Sequence, residues 1–284
     1  MGYTREEIEH YLNTTDNDLI DPSIITNIEN GVKMLIKHIQ AGDETYLQID
    51  QDCDGFTSSA LLLNYLNQLF PNYVQTKIHY RVHTRKAHGI LSADLVPQNI
   101  KLVIAPDSSS NEYDIHKALQ ERGIDVLVID HHKTDKYSPY ACVINNQLDD
   151  YPTKSLSGVA MTYKFCKYID ILMGVDYADL FLDLVALGMA ADVMDIRNYE
   201  SKQLMVLGLK NIRNPFIKAM ILKQSYSLEQ MGGLSAYSIS FYIAPFVNAV
   251  ARVGTVEEKL ILFESFLDYR AYELVKSTKR GCVG

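Results

Sequence analysis

The stretch YLQIDQDCDGFTSSALLLNYLNQLF, residues 46–70, passes from a short apolar run through three carboxylates at alternate positions, Asp50, Asp52 and Asp54, into a helical period. An apolar run, a polar turn and a helix make the first half of a βαβ unit. Outward from it the pattern repeats. VQTKIHYRV (74–82), KLVIAP (101–106), DVLVID (125–130) and ACVIN (141–145) read as further short strands, and EYDIHKALQER (112–122) as a helix between two of them. The alternation predicts an α/β fold, a parallel sheet flanked by helices. Ligands of such sheets collect beyond the carboxyl ends of the strands, where strand order switches. The polar residues that follow each run are therefore the place to expect chemistry.

Those residues are metal-ligand types. Asp50, Asp52 and Asp54 follow the first run, Asp107 follows KLVIAP, and Asp130, His131 and His132 close DVLVID, while Asp192 stands in GMAADVMD (188–195) at an expected helix end. Oxygen ligands mixed with imidazole suit Mn²⁺ or Mg²⁺, with Zn²⁺ a further option. Two divalent ions about 3.5 to 4 Å apart would suit in-line phosphoryl displacement. A single aspartate after a strand is more often a turn residue or a helix cap, Asp54-Gly55 is itself a turn signal, and Thr57 or Ser58 could cap the following helix. Turn residues that arise independently, however, have no reason to fall at successive strand ends of one sheet.

The flanks are plainer. Residues 1–45 read as an N-terminal helical appendage, with Ile25, Ile28, Val32, Leu35 and Ile39 at helical spacing, and the chain turns mainly helical after Ser155. A chain of 284 residues, 47% hydrophobic, can bury a substantial core. Its net charge of −8 offers no global basic field, so a polyanionic ligand must be held locally by metal ions or a few cations. Cys53, Cys142, Cys166 and Cys282 lack CxxC spacing, the N-terminus lacks a signal-peptide core, and no apolar run reaches membrane length. A cytoplasmic protein with no membrane role is the expectation. Cys53 reads as a packing residue, Cys282 as an exposed thiol, and most of the 19 tyrosines as ordinary partly buried ones, though tyrosines can stack on bases.

The segments IDQDCDGFTSS (49–59), RKAHGI (85–90), APDSS (105–109), VIDHHKT (128–134), INNQLDDY (144–151), SLSGVAMTY (155–163), DLVALGMAADVMD (183–195) and APFVNAVARVG (244–254) resemble, in order, the DHH phosphoesterase superfamily and its RecJ-like single-strand exonuclease branch. The resemblance implies a DHH domain over residues 46–212 and a helical connector over 213–284. It implies two ions, Mn²⁺ or Mg²⁺: Asp52 with Asp50 on one, Asp54, His131 and Asp192 on the other, and Asp107 bridging. His132 would sit close to the substrate phosphate or orient a ligand, and Asp130 would fix the loop or a histidine tautomer. Arg85, His88, Ser157 and Arg252 would contact substrate phosphates; His88 could instead protonate the leaving oxygen, Ser157 could start a helix, and Arg252 could form a structural ion pair.

There are departures. Relatives usually carry a DCG-like turn where this chain has Asp107-Ser108-Ser109, and an AAGR-like run where it has Ala249-Val250-Ala251-Arg252. The glycine-rich second domain of the family, DHHA1, is expected to be absent, since the segment after Thr255 is too short for it, and the same expectation holds for the OB-like module of larger exonucleases.

The expected activity is metal-dependent hydrolysis of single-stranded DNA from the 5′ end. The alternatives are short oligonucleotides, cyclic dinucleotides or pyrophosphate as substrate, a noncatalytic replication or repair scaffold, or one part of a split enzyme whose C-terminal domain comes from a separate chain.

Overall fold

The structure is a computed structural model that describes Gly2 and residues 4–270 apart from Lys86 and Asp149; Cys282 lies outside the described residues. Five strands form one parallel sheet: β1 (Glu44–Gln48), β2 (Ile78–Arg81), β3 (Ile100–Pro106), β4 (Asp125–Asp130) and β5 (Cys142–Asn145), in the order β2-β1-β3-β4-β5. The strands are apolar almost throughout because both faces are covered. On one face lie Leu47, Leu102, Ile104, Leu127, Ile129 and Ile144; on the other lie Tyr46, Val103, Ala105, Val126, Val128 and Val143.

Thirteen helices are described: α1 (Arg5–Leu12), α2 (Ile28–Ala41), α3 (Cys53–Leu69), α4 (Pro71–Lys77), α5 (Tyr113–Glu121), α6 (Gly158–Met173), α7 (Leu182–Ala191), α8 (Tyr199–Lys210), α9 (Pro215–Lys223), α10 (Ser225–Gln230), α11 (Ala236–Tyr242), α12 (Ala244–Val253) and α13 (Val256–Ser265). The first face is covered by α2, α3 and α6, the second by α5 and the loop from β2 to β3. Two details differ from the sequence reading. The run VQTKIHYRV is divided, its first four residues closing α4 and only Ile78–Arg81 joining the sheet. Within the N-terminal 45 residues, α2 is a layer of the sheet: Ile28, Val32 and Leu35 are buried, and Asn27 donates its amide to Val143 O at 3.0 Å.

Further helices extend the α3–α6 layer. A buried ion pair joins Lys164 of α6 to Glu200 of α8; Lys164 Nζ also donates to Ile20 O (2.7 Å), while Tyr151 OH (2.9 Å) and Ile20 N (3.0 Å) donate to Glu200 Oε1. Every strong polar group of this cluster is paired, as burial demands. From β1 the chain passes through α3 and α4 to β2 on one side, and β3 lies on the other. The carboxyl ends of β1 and β3 therefore flank the switch point of the sheet.

Candidate metal centre

Asp50 and Asp107 leave the sheet from its switch point and His131 leaves from β4 beside it. Asp52 caps α3, accepting Gly55 N at 3.0 Å, and Asp54 stands in the first turn of that helix. Thr57 is not the cap; it lies inside α3 and donates its hydroxyl to Cys53 O (2.9 Å). Asp107 turns off β3 with φ 64°, a left-handed conformation that non-glycine residues seldom adopt.

The expected ligands converge. Ligand atoms of Asp50, Asp52 and Asp107 lie within 4.8 Å of one another, as do those of Asp54, His131 and Asp192 and those of Asp107, His131 and His132. His131 Nε2 lies 3.2 Å from Asp107 Oδ1, 3.6 Å from Asp192 Oδ2 and 3.7 Å from Asp54 Oδ2. Burial, followed by the charge of Asp54, drives the Asp107 carboxyl well above the usual range and pushes Asp192 up to about 6. Burial and the charge of Asp50 raise Asp52. Asp107 Oδ1 is buried and accepts no hydrogen bond among the described residues, with the His131 ring 3.2 Å away. Carboxylates crowded into mutual repulsion, with a buried oxygen lacking a donor, fit a site for cations.

The surrounding residues fix these groups in place. Asp54 accepts from Ser157 Oγ (3.0 Å), Gly158 N (2.6 Å) and Val159 N (3.2 Å), so the N-terminus of α6 holds a carboxylate where its dipole favours one. Ser157 is fully buried and its hydroxyl is taken up by Asp54, an arrangement that supports a candidate ligand and leaves the hydroxyl away from a phosphate contact. Asp130 accepts from Ser110 N (3.0 Å), His131 N (2.7 Å) and His132 Nδ1 (2.8 Å). Although burial works to raise it, the hydrogen bond and charge of His132 hold Asp130 below the usual carboxylate range. The same bond pushes His132 up to about 9, and with Nδ1 engaged its Nε2 is left for other contacts.

The substrate candidates frame this centre. His88 bonds Asp50 Oδ2 through Nδ1 (2.8 Å), which raises its pKa, and its ring meets that of His132 at 4.7 Å. Arg252 is exposed, makes no ion pair among the described residues, and lines a small recess with Asp52, Asp54, Asp192 and Asn248. The structural ion pair weighed for Arg252 is not what the geometry contains. Arg85 is exposed on the β2–β3 loop.

Several supporting residues went unread in the sequence. Asn248 Oδ1 accepts Cys53 N (2.8 Å), and Gln51 ties α12 to the β2–β3 loop by donating to Arg252 O (3.3 Å) and accepting Ala87 N (2.7 Å). Gly188 lets α7 approach Asp54: a β-carbon there would lie 2.4 Å from Asp54 Oδ1. The glycine of ALGMAAD, inside a helical period beside a ligand, was the available signal.

Residues 44–189 match the model of the DHH family, N-terminal domain, slightly more than half of the chain and the part that carries all of these ligands except Asp192. The chain belongs to the DHH family. Its relatives include YorK of Bacillus subtilis (strain 168), an SPbeta prophage-derived protein named for single-strand DNA-specific exonuclease activity, 39% identical over 277 residues that make 97% of this chain and 47% of YorK. The single-stranded-DNA-specific exonuclease RecJ of the same organism is 26% identical over 281 residues, 95% of this chain and 34% of RecJ. This DHH chain thus spans about half the length of YorK and about a third of that RecJ. The DHH fold is shared with a crystal structure of exonuclease RecJ bound to manganese (TM-score 0.68, 22% identity, 85% of this chain and 65% of that one). It is shared also with RecJ of Thermus thermophilus in complex with Mn²⁺ (TM-score 0.66, 23% identity, 87% of this chain and 36% of that one).

Proposed function

We propose that this chain hydrolyses phosphodiester bonds of single-stranded DNA from the 5′ end, with two divalent cations, Mn²⁺ or Mg²⁺, held by Asp50, Asp52, Asp54, Asp107, His131 and Asp192. The observation that carries the reading is the meeting of two three-ligand sets at Asp107 and His131, where Asp107 Oδ1 is buried without a hydrogen-bond donor. Names of relatives such as YorK and RecJ supply the substrate class, and the resemblance to the RecJ-like branch supplies the direction. Bound there, the cations supply an acidified water and neutralise charge on the phosphoryl oxygens.

The chain's own residues do the rest. His132, kept protonated at Nδ1 by Asp130, presents Nε2 to a nonbridging oxygen of the phosphate. Arg252 and Arg85, which form no ion pair among the described residues, grip neighbouring phosphates, Arg252 from the recess it lines with Asp52, Asp54 and Asp192. His88, which Asp50 orients beside His132, protonates the leaving oxygen in this reading. Among the described residues no helix is long and apolar enough to cross a membrane. The free thiols of Cys53, Cys142 and Cys166 support action in the cytoplasm.

The test incubates the chain with Mn²⁺ and single-stranded DNA labelled at either end. Release of 5′-terminal mononucleotides, abolished by Asp107→Ala, is the expected result. Intact single strands alongside cleaved dinucleotides would reassign the substrate to short oligonucleotides.

A further inference from the structure

The β2–β3 loop carries His88 and is pinned from two sides. On one side is the ligand Asp50, whose Oδ1 accepts Gly89 N (2.9 Å) and whose Oδ2 bonds His88 Nδ1 (2.8 Å). On the other side is Glu112, immediately before α5, whose Oε2 accepts Ile90 N (2.9 Å). Ser109 Oγ accepts the same N–H at 3.0 Å. The fit around Gly89 is close: its φ is 65°, and a β-carbon there would lie 2.1 Å from Glu112 Oε1 and 2.8 Å from Ser109 Oγ. Three successive residues thus run as a bridge from a metal-ligand candidate to a carboxylate that touches neither the ligands nor the recess beside them. Ser109 holds φ 81°, a left-handed conformation that favours glycine. The strained serine supplies a hydroxyl that glycine lacks, and that hydroxyl meets the same backbone N–H as Glu112.

We propose that Glu112 is a positioning residue of the centre: by holding Ile90 N it fixes the loop that orients both Asp50 and His88. The inference rests on the assignment of Asp50 and His88 to the functional site. Both hydrogen bonds to the Asp50 carboxylate come from this loop, with His83 Nε2 a further 3.8 Å from Oδ1, so releasing Ile90 loosens the candidate ligand and His88 together. Burial pushes Glu112 up to about 7, so the acceptor oxygen matters more than full ionisation. A neutral amide of the same shape therefore preserves the bridge, whereas truncation leaves Ile90 N with Ser109 Oγ alone.

The experiment compares Glu112→Ala, Glu112→Gln and Glu112→Asp with the wild type. Two readouts need no nuclease activity: the His88 Nδ1 proton in nitrogen-15 NMR of the metal-free protein, and Mn²⁺ affinity by calorimetry. Glu112→Ala is expected to lose the hydrogen-bonded His88 signal and to weaken Mn²⁺ binding by about 10-fold, the lower end for a group that orients a ligand. Glu112→Asp, one methylene too short to reach Ile90 N, is expected to behave like Ala and serves should the Ala variant fail to fold. Glu112→Gln is expected to keep both at wild-type values. Loss of both in Gln as well as Ala, or retention of both in Ala and Asp, overturns the proposal. A wild type that binds Mn²⁺ but cleaves no single-stranded DNA would instead refute the proposed substrate and leave these two readouts decisive.

Discussion

Gly158 lies so close to Asp107 that a methyl group on its α-carbon would stand 2.1 Å from Asp107 Oδ1. The same glycine donates its backbone N–H to Asp54 Oδ2 at 2.6 Å. One residue at the start of α6 thus sets the position of two ligand candidates, and only the smallest side chain fits there.

Gly158→Ala must push Asp107 aside or tilt α6. We expect Mn²⁺ affinity to fall by roughly 10- to 100-fold, with a stability loss of about 1–3 kcal/mol from overpacking. Calorimetry and urea denaturation read the two effects separately; unchanged affinity would show that Asp107 is not held by this contact.

Asp130→Asn removes the charge that raises His132. The His132 titration, pushed up to about 9 in the metal-free protein, should move down toward the ordinary value of 6.5. NMR of the imidazole protons measures this directly, and an unmoved titration would contradict the role given to Asp130.

His116, on the second face of the sheet, is fully buried, with Nδ1 against Ser138 Oγ at 3.0 Å. Burial lowers its pKa from 6.5 to about 4. Between those values the unfolded chain binds a proton that the folded chain refuses, so stability rises with pH through this window and is lost on acidification, by up to roughly 3 kcal/mol. Glu112, raised to about 7 by burial, acts in the opposite sense over the overlapping range, since its folded form keeps a proton that the unfolded form releases. The comparison of wild type with His116→Phe therefore isolates the effect: urea denaturation at pH 7 and pH 4.5 should show a smaller acid loss in the variant.

Glu200→Ala would leave the Lys164 ammonium buried without its carboxylate and would deprive Tyr151 OH and Ile20 N of an acceptor. The expected loss is about 3–5 kcal/mol, visible in thermal denaturation. A loss under ~1 kcal/mol would mean that the pair is solvated.

The parallel sheet was legible because its strands are buried on both faces: IKLVIAP and DVLVID are apolar with no alternation, which leaves few other placements. The convergence of the candidate ligands was legible because each stands just after a strand or at a helix end, where sequence position fixes spatial position. The division of VQTKIHYRV was not, since Pro71 starts a helix whose last turn reads Val74-Gln75-Thr76-Lys77, a pattern equally suited to a strand. Ser157 was ambiguous for a different reason. A serine before a glycine that opens a helix reads as a cap or as a phosphate contact, whereas its partner Asp54 is 103 residues away in sequence. Glu112, Gln51 and Asn248 act through such long-range bonds to backbone N–H groups, which leave no local pattern.

Asp107 stands where two candidate ligand sets meet, and the stoichiometry of Mn²⁺ binding tests its proposed role most directly. Calorimetry of the metal-free chain should give two Mn²⁺ per wild-type molecule, with Asp107→Ala losing at least one while its Tm stays near the wild-type value. Two ions bound with undiminished affinity by Asp107→Ala, or none bound by the wild type, would contradict it.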